Sequence, residues 1–370
     1  MNVKKPPSEL ERAAAIVEED YDLGQVVSVG ELRGGFINRS FLVHVTRNDA
    51  RCKYMMREYN AETAEADIQF EHALIGHLKK AGFSIVGGVM PKKNGDTYAR
   101  EHVLAEGGSL VRFWAVFEFL KGEDRYTFMD TYLSKEELAS AADTLARLHD
   151  AGRGFCSPSG VSRARPKIMD FLPTIRHAYA RYAEMAGQTR FDRFFLDNRE
   201  DILEKLDQVL ISHSECESLP QLPIHGDYHQ GNLKYEGSRV TGVFDFDWSR
   251  IDIRLFDLAQ AVVYFCARWD GDEAGSIDLE KYASFLRSYN ECCEAAKPSL
   301  SLTAVERAKL PLALAMANHF ALRCIVHYFY REENPDVEGW LGVVNHYRNI
   351  VHWIEAQEDR IADATRLACT

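Results

Sequence analysis

No two of the chain's eight cysteines stand at CxxC spacing, and none fall into a compact framework. That argues against a zinc ribbon or a disulfide scaffold and fits reduced thiols in a cytosol. A positive charge balance is also missing. With Lys and Arg at 44 against Asp and Glu at 56, the formal net charge is -12. This works against nucleic acid as a partner, because that binding rests on neutralising phosphates with basic side chains. The segment MNVKKPPSELERAA has no apolar signal core, and no apolar run approaches the length of a membrane span. The expectation is a soluble cytoplasmic protein with neither membrane nor nucleic acid among its partners. Internal repeats and low-complexity segments are absent too, which leaves ordinary globular lobes.

What is present is enough apolar sequence, 46% of 370 residues, to fill the cores of a large bilobal unit. SELERAAAIVEEDYDLG reads as a leading helix with Ser8 as N-cap and Glu11 completing a capping box. A β-rich stretch follows, in which Phe41, Val43 and Val45 alternate in RGGFINRSFLVHV and CKYMMREY forms a further short strand. EADIQFEHALIGHLKKAGF puts Phe70, Leu74 and Leu78 on one helical face and stops at Gly82. LVRFWAVFEFLKGED is the last strand of this half, with Phe113, Ala115, Phe117 and Phe119 on one side, and it ends at Gly122. Beyond that glycine the pattern turns helical. SKEELASAADTLARLHDAG opens with a Ser134 and Glu137 capping box and sets Leu138, Leu145 and Leu148 on its inner face. The fold class is therefore α+β. Residues 1–120 form a small β-rich lobe and residues 121–370 a large α-helical one.

The chemistry is concentrated in PIHGDYHQGN, which packs His225, Asp227, His229 and Asn232 into eight positions behind a proline, with two glycines among them. His225 and His229 would share one face of a helix and could bind a metal there, but Gly226 and Gly231 argue for a loop instead. Thirteen residues after Asn232, the apolar strand in VTGVFDFDWSR delivers Asp245 and Asp247. Carboxylates and a carboxamide are the ligands a hard cation such as magnesium prefers. Asp227 remains for a second task, accepting a hydroxyl proton and aiming that oxygen at phosphorus.

The combination resembles the aminoglycoside phosphotransferase and choline kinase family, which has the fold of the protein kinases. That family carries HGDxHxxN, then a strand ending in an apolar-Asp-Phe element, then DLA. The counterparts here are His225, Gly226, Asp227, His229 and Asn232, then Asp245 and Phe246, then FDLAQA with Asp257. The resemblance implies that Asp227 is the catalytic base, that Asn232 and Asp245 hold magnesium, and that His225 braces the loop. It makes His229 part of the loop's architecture and sets Asp257 beneath the loop. It places Gly34, Gly35 and Asn38 in the turn that covers the nucleotide, Glu71 as the helix glutamate, and Glu118, Phe119 and Leu120 in the hinge that meets adenine. The cofactors implied are ATP and magnesium, and the partner is a small-molecule alcohol.

One position departs from the pattern. Arg57 stands in KYMMREY where kinases of this fold usually carry a lysine, and a forked guanidinium is not a neutral replacement for a compact ammonium. Lys53 lies on the same face of that strand. Asp247 is read as serving the metal or the substrate, and Asp252 as a surface turn residue. The resulting function is transfer of the γ-phosphoryl group of ATP to the hydroxyl of an amino alcohol, amino sugar or hydroxy amino acid. Two alternatives of other kinds are a protein serine/threonine kinase and a nucleotide-binding regulator with little turnover. The retention of Asp227, Asn232 and Asp245 together counts against the regulator.

Overall fold

The structure, a computed structural model, describes residues 8–32, 38–105, 108–296 and 300–369. The chain divides into two compact units. The first comprises the residues up to Lys121 together with Cys156–Ala164 and Gly242–Phe244, and the second comprises Gly122–Phe155, Arg165–Thr241 and the residues from Asp245 onward.

The first unit runs α1 (Glu9–Asp20), β1 (Gln25–Leu32), β2 (Arg39–Arg47), β3 (Ala50–Glu58), α2 (Glu65–Lys80), β4 (Ala99–Ala105) and β5 (Gly108–Glu118). Ser8 caps α1 in a capping box with Glu11, as its spacing predicts; such caps are worth about 1 kcal/mol. The strands form one sheet in the order β1-β2-β3-β5-β4, antiparallel throughout. Val17 of α1 packs with Phe41, Val43 and Val45 of β2 and with Trp114 and Val116 of β5 into a dry core. The sequence pattern placed the buried side of β5 on Phe113, Ala115, Phe117 and Phe119. In the structure Trp114 and Val116 are also fully buried, while Phe119, past the end of the strand, is 37% exposed. The reason is that both faces of β5 are covered: Trp114 and Val116 join the core with α1, and Phe117 packs on His72 of α2.

The second unit begins with α3 (Lys135–Ala151), α4 (Ile168–Phe171), α5 (Thr174–Met185), α6 (Arg190–Val209) and α7 (His213–Glu217). Then come β6 (Gln221–Ile224), β7 (Leu233–Glu236), β8 (Arg239–Val243), which runs into the first unit at its end, and β9 (Arg250–Ile253). After these are α8 (Arg254–Cys266), the two-residue strands β10 (Ala267–Arg268) and β11 (Ser276–Ile277), α9 (Leu279–Ala296), α10 (Ala304–Arg331), α11 (Val337–Ala356) and α12 (Glu358–Ala368). The expected capping box of Ser134 and Glu137 opens α3, and Leu138, Leu145 and Leu148 are buried. Arg254 grips Glu306 through two nitrogens at 2.6 and 2.7 Å, which ties α8 to α10. By length and composition α10 could cross a membrane, and 72% of its apolar window is buried inside the protein. Asn318, His319 and Arg323 interrupt its apolar sequence, so it forms no continuous apolar run. All eight cysteines are free thiols.

The pairing that matters most for chemistry is β6 with β9, antiparallel, with Ile224 opposite Arg250 and Leu222 opposite Asp252. The strand entering the His225 loop and the strand leaving the Asp245 turn therefore lie side by side. This pairing also corrects the reading of Asp252 as a surface turn residue. It is fully buried and accepts the N–H of Ile168 at 2.7 Å, the N–H of Ile253 at 2.9 Å and the Nε of Arg250 at 2.7 Å. A carboxylate on so short a strand resembles a turn residue in sequence. Only the pairing shows the donors that satisfy it.

Candidate active site

In the second unit the loop after β6 is built around Asp257, in the first turn of α8. Its two oxygens accept the backbone N–H groups of His225 at 2.9 Å and Gly226 at 2.8 Å, and Oδ2 also receives Nε2 of His149 at 3.0 Å. Burial alone would raise the pKa of this carboxyl, but the His149 contact, the charge of His225 and the Gly226 N–H outweigh it and hold the group below the usual carboxylate range. Asp257 thus supports the loop from beneath. Its brace His149, whose Nδ1 meets the Tyr289 hydroxyl at 2.7 Å, was missed in the sequence. A histidine beside Leu148 on the inner face of a helix was the available signal.

Gly226 has φ +76, and a Cβ there would come within 2.3 Å of the Trp248 carbonyl oxygen. Glycine is required because the loop passes directly over the Asp245 turn. Tyr228 is fully buried and donates its hydroxyl to Ala141 of α3 at 2.8 Å, while Gln230 donates to the Phe128 carbonyl at 3.0 Å. Only residues Gln230–Asn232 form a helical turn, so His225 and His229 do not share a helical face. Asn232 donates Nδ2 to the Asp227 carbonyl at 2.9 Å and to Asp227 Oδ2 at 3.3 Å, which commits the nitrogen end of the amide inward. His229 accepts the Gly231 N–H on Nδ1 at 3.0 Å, and its Nε2 stands 3.6 Å from Asp227 Oδ2.

That histidine sets the acidity of Asp227. Burial favours the neutral acid, but the electrostatic pull and hydrogen bonding of His229, with His225 and Asn232, prevail and hold the carboxyl below its ordinary 3.8. A lowered carboxylate pKa means that the base form is present at neutral pH and lost only as pH falls through that lowered value. Replacing His229 with Gln should therefore shift the acid limb of a kcat/KM profile upward relative to the parent. A limb that stays in place would show that other groups hold the carboxylate ionised.

Asp245 follows β8 in the left-handed region, with φ 67 and ψ 66. Such a conformation costs a non-glycine residue about 1 to 3 kcal/mol and persists where the surroundings impose it, often at functional turns. Phe246 stacks near His225 at 4.7 Å and anchors the turn. Among the described residues, no three side chains drawn from His, Cys, Asp and Glu come together to hold a metal. The oxygen donors of Asn232 and Asp245 suit a hard ion that keeps most of its water and takes only one or two protein ligands, which is the coordination habit of magnesium.

In the first unit, Arg57 rather than Lys53 meets the helix glutamate. Arg57 Nη1 lies 3.1 Å from Glu71 Oε1, with both side chains buried. Tyr59 donates its hydroxyl to Glu71 Oε2 at 2.9 Å and contacts His72 Nε2 at 2.9 Å, and His72 Nδ1 contacts Thr97 Oγ1 at 2.8 Å. The Tyr59 proton goes to the carboxylate, so Nε2 of His72 carries the hydrogen and Nδ1 accepts from Thr97. Burial, aided by the nearby Arg57 charge, pushes the His72 pKa down to about 3 and keeps the ring neutral. Lys53 instead lies 5.5 Å from the Phe119 ring.

Glu118 closes β5. Its N–H is taken by the Gly88 carbonyl at 2.8 Å, and its side chain is held by Lys79 and by the Gly88 N–H at 3.0 Å. Leu120 is half-buried. Asn38 accepts the Asn60 N–H at 2.9 Å, which ties it to the segment after β3. Gly34 and Gly35 lie outside the described residues.

Residues 28–287 match the sequence profile of the phosphotransferase enzyme family. The chain belongs to that family. It is 26% identical over 311 residues to a homoserine kinase of Afipia carboxidovorans, covering 83% of this chain and 80% of that protein. Its fold is that of a choline kinase from Cryptosporidium parvum, with TM-score 0.62 and 13% identity, covering 95% of this chain and 96% of that one. It is also that of spectinomycin phosphotransferase in complex with ADP and spectinomycin, with TM-score 0.59 and 11% identity, covering 98% and 99% of the two chains. The fold is thus protein-kinase-like. The phosphotransferase is an ATP-dependent small-molecule kinase whose acceptor is an alcohol.

Proposed function

We propose that this phosphotransferase moves the γ-phosphoryl group of ATP to the side-chain hydroxyl of a hydroxy amino acid of the homoserine type. The observation that carries the acceptor is the alignment with a homoserine kinase over 83% of the chain. The geometry of the second unit supports the reaction type. Asp227 is ionised, pinned through Asn232, and carried on a loop whose backbone Asp257 holds. In this reading Asp227 accepts the acceptor's hydroxyl proton as that oxygen bonds to phosphorus and the bond to ADP breaks. Asn232 and Asp245 would hold magnesium, which when bound neutralises charge on the phosphates. Arg57, oriented by Glu71, grips phosphate oxygens through its forked donors. Asn38 lies against the nucleotide, and the peptide groups from Glu118 to Leu120 meet the adenine.

The test is ATP consumption by the purified protein against L-homoserine, L-serine, choline, ethanolamine and glucosamine. Turnover should be highest with L-homoserine. If an amino sugar or choline is preferred, the hydroxy amino acid reading fails and the alcohol kinase assignment stands.

A further inference from the structure

An acceptor of this type carries a carboxylate as well as a hydroxyl, and Asp227 accounts only for the hydroxyl. A cation is needed near the same place. Arg250 is committed elsewhere. It is 2% exposed, with Nε on Asp252 at 2.7 Å and Nη1 on the Trp248 carbonyl at 3.2 Å. Arg165 is placed differently. Its Nε donates to the Asp247 carbonyl at 2.7 Å, and its guanidinium carbon stands 4.1 Å from the centre of the Trp248 ring. These two contacts fix the group against the turn that carries Asp245 and use one edge of the fork. Among the described residues neither terminal nitrogen of Arg165 donates to a protein group.

The surroundings put this fork and Asp227 at one location. Gly226, the residue before Asp227, packs on the Trp248 carbonyl, where an added Cβ would come within 2.3 Å, and Arg165 lies over the ring of that same tryptophan. Tyr264, half-buried, stands 5.1 Å from His229 and begins an aromatic wall. Phe128 lies 6.3 Å from His229 and 6.5 Å from Trp269, so the aromatic wall is continuous from the catalytic loop outward. Aromatic faces attract an ammonium group.

We infer that Arg165 determines acceptor specificity by binding the acceptor's carboxylate through its two terminal nitrogens, with the acceptor's ammonium group against the aromatic wall and its hydroxyl at Asp227. This rests on the hydroxy amino acid reading above. The geometry matches the chemistry: a planar fork held along one edge offers two parallel donors, which is what a carboxylate accepts. Lysine in its place would keep the charge beside Trp248 and lose the planar pair of parallel donors.

The experiment compares L-homoserine with 3-aminopropan-1-ol, the same molecule without its carboxylate, in the parent, Arg165→Ala and Arg165→Lys. A hydrogen-bonded charge pair corresponds to about a 10- to 100-fold effect. The parent should prefer L-homoserine by at least that factor in kcat/KM. Arg165→Ala should raise the KM for L-homoserine by a similar factor and leave the values for 3-aminopropan-1-ol and the KM for ATP near those of the parent. Arg165→Lys should recover part of the loss. It also retains the charge beside Trp248 should the alanine variant fold poorly. If Arg165→Ala or Arg165→Lys lowers kcat equally with both acceptors, Arg165 serves the phosphoryl group and the inference falls. Retention of the full preference in either variant overturns it too, with the acceptor reading intact. A parent that phosphorylates neither compound removes the acceptor reading and this inference with it.

Discussion

Asp227→Asn should lower kcat by about two to four orders of magnitude while the KM for ATP stays near that of the parent. The loop gives a structural reason to expect so clean a separation. Asn232 donates to the Asp227 carbonyl and to one side-chain oxygen, and an asparagine at 227 presents both of these acceptors. Asp257 continues to hold the His225 and Gly226 N–H groups, so the backbone has no cause to move. Only the proton-accepting charge is lost. Steady-state kinetics with varied ATP and saturating acceptor would measure the split. Near-normal turnover would remove Asp227 from the role of base. A rise in ATP KM equal to the fall in kcat would point to damage in nucleotide binding instead.

Arg57→Ala should have the second largest effect, and it should appear in both stability and kinetics. Arg57 and Glu71 are 5% and 2% exposed, and removing one member of a buried pair typically costs about 3 to 5 kcal/mol because the other charge is left without its counter-ion. Tyr59 still donates to Glu71. His72 loses the neighbouring charge that helps keep it neutral, and both softenings place the expected loss toward the lower end. KM for ATP should rise and kcat fall together, since phosphates positioned by Arg57 are held in ground and transition states alike. Replacing both partners, as Arg57→Met with Glu71→Leu, should restore much of the melting temperature because an apolar pair fits a buried site, yet it should not restore ATP affinity. Recovery of both would mean that the pair only shapes the unit. If Arg57→Ala behaved like the parent while Lys53→Ala lost activity, the phosphate role would pass to Lys53. Arg57→Lys should cost activity modestly, since the site around Glu71 is fitted to a forked donor.

Much of this site could be read from order along the chain, because its parts are local. The capping boxes at Ser8 and Ser134 appear in the structure as their three-residue spacing predicts. So does the loop character of the segment after β6, where glycines flank the histidines. Arg57 was legible as an anomaly, and Glu71 through the family resemblance that marks the helix glutamate. What escaped the sequence consists of partners far apart in it. Asp252 looked like a turn residue because its donors, Ile168 and Arg250, are supplied by a distant segment and by a neighbour on a four-residue strand. His149 and Asp257 are separated by 108 residues. Arg165 sits in a polar loop with no pattern to mark it, and its significance depends on Trp248 and Asp247.

The sequence by itself determined the class of reaction. HGDYHQGN, the Asp245 strand and the DLA helix carry the family's motifs at fixed offsets, which is where the proposed base, oxygen ligands and loop brace fall, and phosphoryl transfer needs little else from the protein than position and charge. Tertiary structure decided how those residues are held. It set Asp257 under the loop, kept Asp227 ionised through His229, chose Arg57 over Lys53 for Glu71, and brought Arg165 onto the Asp245 turn over Trp248. The physical reason is that hydrogen bonds and electrostatic fields depend on distance in space, whereas sequence reports distance along the chain, and the two coincide only within a turn or a single strand.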